Sequence, residues 1–66
     1  MQIQLNGQAH SLEAEQTLAQ LIDDLGLSVD GVAVAINGEV IPRSDRKECV
    51  LKSGDRVEII QAVGGG

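Results

Sequence analysis

Sixty-six residues make one small domain, which buries only about 60% of the surface its unfolded chain exposes and has little room for an enclosed catalytic pocket. Five basic against ten acidic residues give a net charge of −5, the wrong sign for tracking phosphates, and there is no Phe, Tyr or Trp to stack on a base, so nucleic acid is not expected as a partner. No stretch approaches the roughly 20 apolar residues of a membrane span; with a single cysteine, Cys49, and no leader-like start, the composition fits a cytoplasmic protein that is a monomer when alone.

The chain nonetheless carries a core, because seven Leu, six Ile and seven Val within a hydrophobic content of 42% argue against disorder. Met1, Ile3 and Leu5 alternate with Gln2 and Gln4 ahead of Asn6-Gly7, a pair suited to the two left-handed positions of a type I′ hairpin turn. With a two-residue turn, the returning strand from Gln8 to Leu12 sets Gln8, His10 and Leu12 beside Leu5, Ile3 and Met1, and His10 lies toward the core edge. Thr17-Leu18-Ala19-Gln20 matches a capping box, so a helix is expected to start at Leu18. Leu18, Leu21, Ile22 and Leu25 form one apolar stripe, and Gly26 is placed to end the helix in a left-handed cap. At about 12 Å such a helix is too short to stand alone and must lie on a sheet.

Val32-Ala33-Val34-Ala35-Ile36 alternates large and small apolar residues before a second hairpin signal, Asn37-Gly38, and a short strand Glu39-Val40-Ile41 stopped by Pro42. The Val and Ile side chains face the helix in this reading, leaving Ala33 and Ala35 on the outer face. Asp45-Arg46-Lys47-Glu48 mixes both signs and reads as a solvated loop or short helical turn without a function. Val50 and Leu51 precede the turn Lys52-Ser53-Gly54-Asp55, and a last strand runs from Arg56 toward Val63. Hairpin, helix, hairpin, strand predicts an α+β fold: a mixed four- or five-stranded sheet around one main helix, the last strand parallel to the first, which is the β-grasp of ubiquitin. Val57 and Ile59 then point to the helix. Glu58, Ile60 and Ala62 share the outer face with Ala33 and Ala35, and an apolar Ile60 among alanines marks this face as a patch for docking a partner.

Few residues are equipped for catalysis. One His and one Cys give no C-x-x-C or H-x-x-x-H metal spacing, and the glycines match neither G-x-G-x-x-G nor a P-loop. His10 has no visible nucleophile to serve as general base, so a structural role is expected. Cys49 lies near Arg46 and Lys47, which would lower a thiol pKa, yet packing is the commoner fate of an unpaired cysteine. Asp23 and Asp24 sit where the helix dipole disfavours carboxylates by about 0.3–1 kcal/mol, and read as a solvated face. What remains is Gly64-Gly65-Gly66, expected as a flexible tail (64–66) on a domain of residues 1–63. Without Cβ atoms this arm can enter a slot too narrow for other residues, and fully extended it reaches roughly 10 Å. Ordering it costs about 1–2 kcal/mol per residue, so it is expected to stay mobile until a partner encloses it. The functional group is then the Gly66 carboxylate. It is inert at neutral pH and must be activated, most simply as a mixed anhydride with AMP made from MgATP by a different protein; the chain itself binds no cofactor or metal. An amine attacking that anhydride gives an isopeptide link, and a sulfur donor gives a thiocarboxylate.

Over essentially its whole length the chain resembles the ThiS family of sulfur carriers in thiamine biosynthesis. The marks are Met1-Gln2-Ile3 with the turn at Asn6-Gly7, Gln16-Thr17 opening the helix, Val34-Ala35-Ile36-Asn37, Val40-Ile41-Pro42-Arg43, Gly54-Asp55, and a Gly-Gly end that maps onto Gly65-Gly66, with Gly64 as an extra small residue. The resemblance implies that a ubiquitin-activating-like enzyme adenylates Gly66 and that a cysteine desulfurase pathway supplies sulfur as a persulfide. Thiazole synthase then consumes the thiocarboxylate together with a deoxyxylulose phosphate and a dehydroglycine or imine partner. The protein is by this reading a recycled cosubstrate rather than an enzyme, Gly64, Gly65 and Gly66 enter partner active sites, and Cys49 has no part in the chemistry. Three alternatives stand beside it: the small subunit of molybdopterin synthase, usually longer and richer in aromatics near its tail; a ubiquitin-like covalent protein modifier; and an interaction module whose glycines are idle.

Overall fold

The computed structural model describes residues 1–61, and its elements follow the expected order. β1 (Gln2–Leu5) and β2 (Gln8–Ser11) form a hairpin across Asn6 and Gly7, whose φ angles of +51° and +82° are those of a type I′ turn. Leu5 pairs with Gln8 and Ile3 with His10, as the two-residue turn requires. Leu12 extends the pairing beyond β2: its N–H donates to the Met1 carbonyl at 2.7 Å, and the Met1 amino group donates to the Leu12 carbonyl at 3.2 Å.

The helix α1 (Leu18–Asp24) is only seven residues long, and its ends show why it holds. Thr17 and Gln20 make the capping box in both directions, at 3.2 and 2.9 Å. The two N–H groups that the box leaves free are taken up by a distant loop, Leu18 donating to the Cys49 carbonyl at 2.8 Å and Ala19 to the Arg46 carbonyl at 3.1 Å. At the other end Gly26 N–H donates to Asp23 and Leu27 N–H to Ile22, the two bonds of a Schellman cap, with Gly26 at φ +76°. Leu18, Leu21 and Ile22 are buried, but Leu25 departs from the expected stripe and is exposed. The chain reverses at Gly26 immediately after it, and Leu27 packs against the core in its place.

β3 (Val32–Ile36) and β4 (Glu39–Val40) form the second hairpin, and β5 (Arg56–Gln61) completes a five-stranded sheet in the order β2-β1-β5-β3-β4. β1 and β5 are parallel; the other neighbours are antiparallel. A mixed sheet packed on one helix is the β-grasp architecture. Its core joins Ile3 and Leu12 to the three helix residues, Val32, Val34, Ile36, Leu51, Val57 and Ile59. The turn before β5 is closed by Asp55, whose N–H donates to the Lys52 carbonyl and whose carboxylate accepts from the Lys52 N–H at 2.8 Å, with Gly54 at φ +91°.

One part of the charged run is not solvated. Asp45, Lys47 and Glu48 are exposed, but Arg46 is only 5% exposed, and its guanidinium is spent on backbone carbonyls: Nε donates to Ile41 at 3.2 Å and Nη1 to Val29 at 2.6 Å. These charge-assisted bonds offset the desolvation of the cation and tie the segment after α1 to the segment after β4. Among the described residues, no helix is long and apolar enough to cross a membrane.

Candidate functional site

The strand that leads in sequence to the glycines is the central one. β5 lies between β1 and β3, and its longest pairing is with β3, from Val32 opposite Gln61 to Ile36 opposite Val57. Alternation along this ladder puts Val57 and Ile59 in the core, while Glu58 and Ile60 face outward beside Ala35 and Ala33. The expected grouping of Ala33, Ala35, Glu58 and Ile60 on one face is therefore present.

That face is shallow and apolar. Ile60 is 67% exposed, and Val40, which pairs with Ala35, is 72% exposed, so the two branched side chains flank the alanines with Glu58 at the margin. Val40 joins this face in addition to the residues expected from the sequence, and a two-residue turn at Asn37-Gly38 places it opposite Ala35 by counting alone. Ala62, Gly64, Gly65 and Gly66 lie outside the described residues.

Both Asn-Gly turns do more than reverse the chain. Asn6 has the left-handed backbone of a type I′ turn, and its side chain also reaches across to β5: Oδ1 accepts from the Ile59 N–H at 2.8 Å and Nδ2 donates to the Ile59 carbonyl at 3.2 Å. Asn37, at φ +52°, reaches the beginning of β5 with one bond, Oδ1 accepting from the Arg56 N–H at 2.9 Å, while its Nδ2 donates to the Asp55 side chain, at Oδ1, over 3.1 Å. The Asn6 amide thus acts as an extra peptide unit on the central strand, and the Asn37 amide joins the first residue of that strand to the carboxylate before it. Turn preference alone accounts for Asn at each position in the sequence, which is why neither clamp was foreseen.

The remaining candidates fall elsewhere. His10 is half-buried at the sheet edge, and Asp23 and Asp24 are exposed, as expected of a structural histidine and a solvated helix end. Cys49 is half-buried against the core. Burial first, then the carboxylates of Asp55, Asp45 and Glu39, pushes its thiol above the ordinary range, so the lowering that Arg46 and Lys47 offered on sequence is not realised. The Arg46 cation is turned away to the carbonyls of Ile41 and Val29. Among the described residues no three His, Cys, Asp or Glu side chains converge as metal ligands. Among the described residues the arrangement offers an exposed apolar face and a central strand held on both sides, with no group of His, Cys, Asp or Glu side chains placed to hold a metal.

Comparison with known proteins places this geometry. The model of the ThiS family matches residues 3–66. The sulfur carrier protein ThiS of Escherichia coli is 35% identical over 66 residues, which is the full length of both chains. A thiazole synthase of Magnetococcus marinus is 39% identical over 66 residues; this chain spans 20% of its length, and the same share of a second thiazole synthase, from Paramagnetospirillum magneticum. The crystal structure of a thiamine biosynthesis protein (ThiS) from Geobacter metallireducens superposes with a TM-score of 0.85 at 29% identity, covering all of both chains.

Proposed function

The chain belongs to the ThiS family, and from that membership we propose that it is a sulfur carrier of thiamine biosynthesis whose Gly66 carboxylate becomes a thiocarboxylate and gives its sulfur to a thiazole synthase. The observation that carries the reading is the extent of the family match, which runs through the glycines to Gly66, behind a strand pinned at the centre of the sheet.

In the first step a carboxylate oxygen attacks the α-phosphorus of MgATP held by a ubiquitin-activating-like adenylyltransferase, and pyrophosphate leaves. The terminal sulfur of a persulfide, supplied by a desulfurase pathway, then attacks the acyl carbon and displaces AMP, leaving an acyl disulfide. A thiol cleaves the S–S bond, so that the acyl group keeps one sulfur as thiocarboxylate and the two remaining sulfurs are left as a disulfide. Sulfur transfer to the thiazole precursor and hydrolysis return the carboxylate. The carrier is a cosubstrate in this cycle and contributes no catalytic side chain. Its part is an arm without Cβ atoms, which lets in-line attack proceed inside a closed slot, and an outer face of Ala33, Ala35, Val40, Glu58 and Ile60 for docking. The thiazole synthase relatives support the last partner, since in them a segment similar to this chain is covalently part of a polypeptide about five times as long.

The test is the intact mass of the full chain, and of one lacking Gly65 and Gly66, after incubation with MgATP, a sulfur source and extract that activates a known carrier. Sulfur gained only by the full chain, localised to Gly66 by thiocarboxylate-selective alkylation, is expected. No gain overturns the reading.

A further inference from the structure

We propose that Asn6 is a positioning residue for the glycine arm: its side-chain amide serves as one more backbone unit of β1 and fixes β5 at Ile59, the last point among the described residues at which the β1 side of the strand is held. The proposal rests on the reading of Gly66 given above. Alongside the parallel pairing of Gln4 with Arg56 and Leu5 with Val57, backbone bonds run from Gln4 N–H to the Asp55 carbonyl, just before β5, at 2.9 Å and from Asn6 N–H, just after β1, to the Val57 carbonyl at 2.8 Å. The chain then turns away at Gly7. In a parallel ladder every second residue of β5 faces β1, so the next to do so is Ile59, and there the Asn6 side chain replaces the missing strand with a donor and an acceptor. The contact is partly shielded beside an apolar recess lined by Leu5, Leu25, Leu27 and Ile59.

The turn does not need asparagine for this. Gly-Gly and Asp-Gly also suit type I′ geometry. Glycine would lose both bonds to Ile59, and aspartate would lose the donor and set a carboxylate against the Ile59 carbonyl. Asn37 supplies an internal control, since it has the same left-handed backbone and its Oδ1 likewise accepts from a β5 N–H, but at Arg56, the end of the strand remote from the arm, while its Nδ2 goes to the Asp55 carboxylate.

The experiment compares Asn6→Gly and Asn37→Gly in the full chain. Amide exchange is read at Ile59, Ile60 and Gln61, and kcat/KM is read for carboxylate-dependent ATP–pyrophosphate exchange by the adenylating enzyme. Thermal unfolding by circular dichroism confirms that both variants are folded and how far each is destabilised. Asn6→Gly is expected to speed exchange at Ile59 by about tenfold, the loss of one to two net hydrogen bonds, and to lower kcat/KM by a comparable factor; Asn37→Gly stays within about twofold of the parent in both. Asn6→Asp, which keeps the acceptor, falls between. Adenylation of Asn6→Gly at the parental rate overturns the proposal, and so does an equal slowing of Asn37→Gly. If the parent chain itself supports no pyrophosphate exchange, the reading of Gly66 fails, and Ile59 exchange then judges the clamp alone: unchanged protection in Asn6→Gly removes it.

Discussion

Ile59 and Ile60 are neighbours with opposite fates, and replacing each by Glu separates fold from docking. Ile60 is 67% exposed, so Ile60→Glu forfeits about a third of the roughly 1.5–3 kcal/mol that a fully buried isoleucine contributes, which is 1 kcal/mol or less. Ile59 is 7% exposed, so Ile59→Glu forfeits nearly all of it and must also bury a carboxylate without a partner, a further cost of several kcal/mol. A chain of 66 residues has a total stability of only roughly 3–10 kcal/mol. Ile59→Glu is therefore expected to be unfolded or nearly so by circular dichroism at 25 °C, while Ile60→Glu gives a native spectrum and a slightly lower urea midpoint. Titration calorimetry of Ile60→Glu against the adenylating enzyme should show binding weakened by about tenfold or more, the effect of placing a charge in an apolar contact. A well-folded Ile59→Glu would mean that the two faces of β5 are reversed. Undiminished binding by a folded Ile60→Glu would remove the docking patch.

Arg46→Met keeps the aliphatic stem but strands the Val29 and Ile41 carbonyls, at a cost of about 2 kcal/mol or more and a Tm lower by roughly 8–16 °C; a shift under about 3 °C would contradict the role given to the guanidinium. Thr17→Ala removes half of the capping box and should cost about 1 kcal/mol, read as a Tm lower by about 4–8 °C, with Thr17→Ser restoring most of it. Because the Cys49 thiol is pushed up, a smaller fraction is thiolate at any given pH, so iodoacetamide labels the native protein more slowly than the denatured chain at pH 8, and the native rate is still climbing at pH values where an ordinary thiol has levelled off. Equal rates in native and denatured protein would refute the burial and carboxylate argument.

What was legible in the sequence was what neighbours in the chain decide. The Asn6-Gly7 and Asn37-Gly38 turns, the Thr17 cap and the Gly26 stop each depend on a few consecutive residues, and the registers of both hairpins follow from them by counting. The two faces of β5 were legible for the same reason, since alternation is local. Arg46 was hidden because its partners, the carbonyls of Ile41 and Val29, are five and seventeen residues away, and nothing in Asp45-Arg46-Lys47-Glu48 distinguishes the one cation that is buried. The Cys49 environment failed likewise. Sequence placed cations beside the thiol, whereas folding turns Arg46 inward and brings up the carboxylates of Asp55, Asp45 and Glu39. The Asn clamps were hidden differently, behind a sufficient explanation: a residue that already suits its turn gives no sign that its side chain has a second use.

That second use bears on how a carrier of this size can present an arm. Each arm residue that a partner must order costs about 1–2 kcal/mol, and slack in the strand behind the arm would add its own residues to that cost. β5 enters the sheet last in sequence yet sits in its middle, so β3 can pair with it as far as Gln61, while the backbone of β1 gives out at Asn6. A strand held on one side only could swing about that side. Two bonds from a single amide carry the hold on the other side to Ile59, leaving the ordering cost to fall on the residues that a partner slot would enclose. On this argument the small size of the domain is no handicap, because the hairpin turn that closes β1 and β2 also braces the root of the arm.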